Sequence, residues 1–161
     1  MIVIAHSDTL VESELQSLHV MWNSVFPVDI EYETVQETEL FLAGLSKLRH
    51  IKAVESDHMI GWMGVFERHG ECWFIILTST GHQGQGIGSL LMKAAKEDEK
   101  ELNGWIVLSE KHKLKGGADY RSPAGFYDKQ GFVLNEKRSM AARGVESHHI
   151  LWKKGRNDSQ S

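Results

Sequence analysis

HQGQGIGSLL, residues 82–91, places three glycines within ten residues and then turns apolar. The run before it, CWFIILTST (72–80), reads as a strand, and the run after it reads as an amphipathic helix over about 87–101. That helix carries Ile87, Leu90, Leu91, Ala94 and Ala95 on one face and Lys93, Lys96, Glu97 and Lys100 on the other. A strand, a glycine-rich turn and a helix start together make an anion site. The first helical turn offers unpaired N–H groups and the positive end of the macrodipole. Glycines let those amides approach a ligand with no Cβ in the way. A nucleotide P-loop requires Gly-Lys-Ser/Thr, and here Gly88 is followed directly by Ser89. The G-x-G-x-x-G dinucleotide fingerprint also fails, since counting from Gly84 ends on Ser89 and counting from Gly86 ends on Leu91. A plain tight turn remains the alternative on the bare pattern.

Outward from this stretch the elements alternate. MIVIAH (1–6) is a short strand. Thr9 with Glu12 has the spacing of a capping box before Val11, Leu15, Leu18 and Trp22 at helical intervals. NSVFPVDIEYE (23–33) is a loop, and a second capping box, Thr34 with Glu37, opens a helix with Phe41, Leu42, Leu45 and Leu48 on its apolar face. HIKAVES (50–56), MIGWMGVFE (59–67) and the 72–80 run form an antiparallel meander linked by SDH and RHGE. After the glycine helix, GWIVLSEK (104–111) is a buried strand and HKLKGGADYR (112–121) a loop. SPAGFYDKQGF (122–132) is a short helix with Ser122 as N-cap, Pro123 at its first position and Gly131 past its end. FVLNE (132–136) and HHILWKK (148–154) are the last strands, joined through KRSMAARGVES, and the polar tail 155–161 is expected to be disordered. We expect a single domain over 1–154.

Composition narrows the function. With 41% hydrophobic and 25% charged residues in 161, the chain is long enough for one sizeable core. A net charge of −4 argues against nucleic acid or an acidic membrane surface as partner. No apolar run approaches the roughly 18 residues of a membrane span, and the first residues lack the pattern of a signal peptide. Cys72 is the only cysteine, which fits a reducing, cytoplasmic setting. The nine histidines are scattered, and the adjacent His148 and His149 would point to opposite faces of a strand, so no metal is expected.

Gln83, Gly86 and Gly88 stand as Q-x-x-G-x-G between a strand and a helix, and about forty residues on stands AGFYDKQGFV (124–133). The first resembles the acetyl-CoA-binding motif of the GNAT superfamily of N-acetyltransferases, and the second resembles that family's aromatic and Gly-Phe signature. The order of elements is similar over nearly the whole chain. The resemblance implies an α/β (α+β) fold with a mixed, mostly antiparallel sheet of about seven strands flanked by about four helices, two strands splaying apart at a cofactor cleft.

It further implies that acetyl-CoA is co-substrate, its pantetheine arm pairing with the backbone of Thr78, Ser79 and Thr80. The family often has an apolar residue and a Pro here, which this chain lacks. The diphosphate would lie on amides of Gln83, Gly84, Gln85, Gly86, Ile87, Gly88 and Ser89, with the Ser89 hydroxyl in reach; Gln83 either contacts the ligand or braces the loop. A backbone N–H near Thr78 or Ser79 would polarise the thioester oxygen. Tyr127 takes the place of the family's general acid, a phenol able to protonate a departing thiolate, with Phe126 a core aromatic beside it. For the general base the expectation is Glu110, at the end of its strand, with His112, Glu71, Glu31 and Glu33 as alternatives. Many relatives have Asn seven residues before the tyrosine; here Tyr120 stands there. Tyr120 and Arg121 are acceptor-side candidates, Arg121 suiting a carboxylate.

The reading that follows is an N-acetyltransferase moving an acetyl group to a primary amine of a small metabolite, polyamine, antibiotic or protein, by direct attack in a ternary complex. An acyl-CoA-binding sensor without turnover is the alternative, and a binding module with no anionic ligand is a third reading. Trp22, Trp62 and Trp105 are candidates to line a pocket, although aromatics at these spacings are more often core. The resemblance also admits a homodimer, since members of the family often pair.

Overall fold

In the computed structural model, which describes residues 1–155, the chain folds around one seven-stranded sheet in the order β1-β2-β3-β4-β5-β7-β6. The strands are β1 (Ile2–Ser7), β2 (Ser46–Glu55), β3 (His58–Arg68), β4 (Glu71–Thr78), β5 (Glu101–Ile106), β6 (Val133–Ala142) and β7 (Val145–Lys153). The helices are α1 (Glu12–Val25), α2 (Val35–Ala43), α3 (Ile87–Asp98) and α4 (Ala124–Lys129). The expected tail lies outside the described residues, apart from Gly155.

Every neighbouring pair is antiparallel except β4 and β5, which run parallel and meet at a single registered pair, Trp73 with Asn103. Beyond that pair the two strands diverge. The sheet therefore opens a wedge at the C-terminal ends of β4 and β5, where the glycine stretch and α4 also lie.

The two faces of the sheet carry different helices. Leu18, Met21 and Trp22 of α1 and Leu42 of α2 pack on Trp62 of β3 and Leu77 of β4. On the other face Ile87, Leu91, Met92 and Ala95 of α3 join Met63, Val65, Phe74, Leu102, Ile150 and Trp152. Burial of each leucine, isoleucine, valine, phenylalanine or methionine among them contributes about 1.5–3 kcal/mol. Close approach is built in at Gly104, where a Cβ would stand 2.7 Å from the Phe74 ring.

Several local expectations are corrected. The cap of α1 is not Thr9 with Glu12: the Glu14 carboxylate accepts from Val11 N–H at 2.9 Å, two residues later. The Thr34–Glu37 box forms in both directions, at 3.2 Å each way. α2 stops at Ala43 with Gly44 as its cap, so Leu45 leaves the helix and Leu48 falls in β2, whose strand period takes over at Ser46. In α3 the buried stripe uses Met92 rather than Leu90, which is 41% exposed. α3 ends at Asp98 and β5 spans Glu101–Ile106, so residues 107–111 lie beyond the strand. Pro123, not Ser122, caps α4, and the Ser122 hydroxyl is buried without a partner among the described residues. β6 and β7 run much further than expected and join at Arg143 (φ 53°) and Gly144 (φ 80°), a left-handed pair suited to a two-residue hairpin. β6 is exposed along almost its whole length, so it shows no alternation that would announce a strand.

Candidate active site

The glycine stretch closes the wedge between the splayed strands. A single 3-10 turn (Thr80–His82) leaves β4, and Gly84 (φ 83°) and Gly86 (φ 78°) then take left-handed conformations, Gly86 as the N-cap of α3. Side chains rarely tolerate that backbone, which is the turn requirement. The second requirement is also met. Among the described residues, no N–H from Gln83 through Ser89 donates to a protein acceptor, and a Cβ at Gly84 or Gly86 would meet no atom within 4 Å. The loop thus presents a row of free donors to open space at a helix N-terminus, which fits a diphosphate. Gln83 and Gln85 are exposed and make no side-chain hydrogen bond among the described residues, so Gln83 does not brace the loop.

Gly88 has a packing role. A Cβ there would stand 3.2 Å from the Phe126 ring, so its absence lets α4 lie against the first turn of α3. Seated in this way, α4 presses Tyr127 against Phe74 of β4 and against Phe132, with ring centroids 5.8 and 5.4 Å apart. Tyr127 is buried, and that burial, with the neighbouring Tyr120 second, drives its phenol well above the ordinary tyrosine range. It is therefore a proton-bearing group at neutral pH.

The edge of β4 supplies the remaining backbone groups. Ser79 N–H donates to Ile60 O at 2.9 Å, which commits it to β3. Because antiparallel ladders alternate, the N–H and C=O of Ile76 and Thr78 point the other way, into the wedge. Of the Thr78 and Ser79 amides, only that of Thr78 is left free to face the wedge.

Three further segments meet near the end of β5. Asn23 of α1 holds Tyr32 by both main-chain groups, at 2.8 and 2.9 Å, and Trp22 Nε1 donates to Ile30 O at 3.1 Å. This pins the connector between α1 and α2. Val28 N–H donates to Lys113 O at 2.8 Å, His112 lies 3.5 Å from Asp29, and Arg143 of the β6–β7 turn donates to Glu31 O at 2.8 Å. Val107, Tyr120 and Val145 form a small core there with Ile30 and Leu114 packed against it. Tyr120 is thus buried rather than lining an open loop; burial, with Glu110 second, pushes its phenol up to about 12. Arg121 is exposed.

The base candidates separate. The Glu71 carboxylate takes two hydrogen bonds from Arg138 (3.0 and 3.2 Å) and one from Trp73 Nε1 (3.3 Å). The Arg138 hydrogen bond holds its pKa below the ordinary carboxylate value, so Glu71 is a structural anion. Glu110 is exposed, with Oε2 accepting from Ser122 N–H at 2.9 Å and Oε1 uncommitted among the described residues. Trp22 and Trp62 are core residues, Trp62 donating to His50 Nδ1 at 2.9 Å. Trp105 stacks near Trp73 and His149 (5.2 and 6.0 Å) under the Arg138 guanidinium, 5.1 Å from the Trp73 ring. That cluster went unread in the sequence, because a register shift between Asn135 and Ser139 is what brings Arg138 over the sheet.

Solved structures share this fold. An acyl-CoA N-acyltransferase from Pseudomonas aeruginosa superposes with a TM-score of 0.67 at 16% identity, covering 94% of this chain and 99% of its own. An aminoglycoside 6'-N-acetyltransferase complexed with coenzyme A gives 0.68 at 12% identity, covering 94% and 96%. A ribosomal-protein-alanine N-acetyltransferase from Brucella melitensis gives 0.60 at 15%, covering 94% and 99%. No curated protein sequence matches significantly. The family model of the acetyltransferase (GNAT) domain matches residues 47–134, more than half of the chain, from β2 through the glycine loop and Tyr127 into β6, and the protein belongs to that family of acetyl-CoA-dependent acyltransferases.

Proposed function

We propose that this enzyme is an N-acetyltransferase in which a primary amine attacks the acetyl thioester directly, both substrates being bound together. The observation that carries the reading is the convergence at one wedge of the free amides of Gln83–Ser89, the free edge of β4 and a buried, protonated Tyr127. Acetyl-CoA supplies an acetyl group on a thiol leaving group. Amides of Gln83, Gly84, Gln85, Gly86, Ile87, Gly88 and Ser89 hold its diphosphate, and the β4 edge at Thr78, with Thr80 beyond it, holds the pantetheine arm, the Ser79 main chain being taken by Ile60 and His82. Thr78 N–H donates to the carbonyl oxygen as charge builds there.

As the new C–N bond forms and the C–S bond breaks, Tyr127 Oη gives its proton to the sulfur, so the thiol departs neutral. Glu110, through its uncommitted Oε1, takes the proton that the attacking nitrogen sheds. The acceptor enters between the α1–α2 connector, the end of β5 and the β6–β7 turn. Its chemistry is that of a primary amine, carried by a small metabolite, polyamine, antibiotic or protein.

The test begins with thermal unfolding. Acetyl-CoA at about 100 times its dissociation constant stabilises the fold by about 2.7 kcal/mol, several degrees of midpoint. Release of free thiol is then followed on adding amines. A midpoint that does not move at saturating acetyl-CoA overturns the reading; a shift with no thiol release from any amine, peptide amines included, leaves a sensor that binds without turnover.

A further inference from the structure

The glycine loop contains no lysine or arginine, so its positive potential comes only from main-chain dipoles. A side-chain network adds to it. Ser89 and Lys96 lie seven residues apart on α3, hence on one face two turns apart. The C-terminal end of α4 packs against that face. There Lys96 Nζ donates to Gln130 O at 2.6 Å and lies 3.5 Å from Gln130 Oε1, while Gln130 Nε2 donates to Ser89 Oγ at 3.1 Å.

These contacts have a fixed direction. An ammonium only donates, so the atom of the Gln130 amide facing Lys96 is the oxygen. The amide nitrogen therefore faces Ser89 and occupies an acceptor position on its hydroxyl. A hydroxyl whose oxygen already accepts is left with its own hydrogen to donate. Ser89 is the third residue of α3, beside the free amides of the loop.

We propose that Lys96, Gln130 and Ser89 form a one-way donor chain that aims the Ser89 hydroxyl hydrogen at the diphosphate of coenzyme A, with Gln130 as the positioning residue. This rests on the acetyltransferase reading above. The chain runs from a cation toward an anion, each link polarising the next. It also ties the diphosphate site to α4, the helix that carries Tyr127. The Lys96 ammonium is held in place over the Trp152 ring, 5.1 Å from its centroid.

The test compares coenzyme A with acetylpantetheine, which lacks the diphosphate, by calorimetric titration. Gln130→Leu removes the amide but keeps the Gln130 carbonyl for Lys96. It should weaken coenzyme A binding about 10-fold, as expected for a hydrogen bond to a charged group. Acetylpantetheine binding and the ligand-free unfolding midpoint should stay unchanged. Ser89→Ala should lose a similar factor, and the double variant should lose little more. Gln130→Glu keeps both contacts but reverses the Ser89 hydrogen and adds a negative charge, so it should bind coenzyme A more weakly than Gln130→Leu.

A network that merely tethers α4 predicts the opposite order, with Gln130→Glu binding coenzyme A more tightly than Gln130→Leu, and that result overturns the proposal. So does an unchanged coenzyme A affinity in Gln130→Leu, or a parallel fall for acetylpantetheine. Wild-type protein that fails to bind coenzyme A overturns the acetyltransferase reading itself, and this inference with it.

Discussion

On the proposed cofactor side of the cleft the groups offered to a ligand are main-chain amides of residues 83–89 and the free edge of β4, whereas on the proposed acceptor side three loops meet through side chains. The first side asks the sequence for very little beyond glycine where φ is positive or a ring must approach. Its side chains can vary without moving the donors, because the donors belong to the backbone. The second side depends on named partners: Asn23 with Tyr32, Arg143 with Glu31, Val107 with Tyr120 and Val145. A backbone-built wall suits a ligand common to the family, and a side-chain wall suits an acceptor peculiar to this chain.

The contrast can be broken at Tyr127, where both walls meet and where the largest effect is expected. Tyr127→Phe keeps the ring packing against Phe74 and Phe132 and removes only the hydroxyl proposed as the acid. The turnover number should fall about 10²–10⁴-fold, the usual contribution of a positioned acid. Coenzyme A affinity and the unfolding midpoint should hold; a comparable fall in affinity would mean that Tyr127 binds rather than protonates.

The backbone wall is probed at Gly86. Gly86→Ala forces a side chain into a left-handed conformation and should cost about 1–2 kcal/mol. In titrations this should appear as coenzyme A binding weakened by roughly tenfold, since distortion of the loop moves several donors at once. Unchanged affinity would show that the amides do not carry the ligand.

Acidification should act through three buried or half-buried histidines, one of them supporting the side-chain wall. His19, His50 and His149 are each held below the ordinary histidine pKa, chiefly by burial. The unfolded chain therefore takes up protons near pH 6.5 that the folded chain refuses, so stability is level above that pH and declines as pH falls below it. Unfolding midpoints measured between pH 5 and 8 should show this bend, and His19→Gln should flatten it in part. His19 contacts Thr38 and Asn23, the residue that pins the α1–α2 connector. A midpoint that rises on acidification would contradict the sign.

The smallest effect belongs to Arg143, whose contact with Glu31 O is at the surface. Arg143→Ala should cost less than about 1 kcal/mol. It should raise the acceptor's KM a few-fold, with coenzyme A affinity untouched. Equal changes in both constants would erase the distinction between the two walls.

Much of the glycine loop was legible from residues alone, because positive-φ turns need glycine and helix starts leave donors free wherever they occur. Thr34 with Glu37 announced a helix for the same local reason. Thr9 with Glu12 misled, since the spacing of a capping box does not say which turn the chain will choose, and Glu14 took the part. The sequence marks only a short strand at 132–136, because an edge strand exposed on both faces has no apolar alternation to follow.

The sequence by itself determined the order of elements, the glycine turn into α3 and the aromatic helix that carries Tyr127, all of which follow from short-range periodicity and backbone sterics. Only the tertiary structure decided the rest. The single Trp73–Asn103 pairing opens the wedge, Ser79 is spent on β3 while Thr78 is free, and Glu71 is captured by Arg138 from a distant strand. It also brought Gln130 to Ser89, 41 residues away in sequence. Each of these depends on register and on which face a side chain takes, and those are fixed by the whole packed sheet.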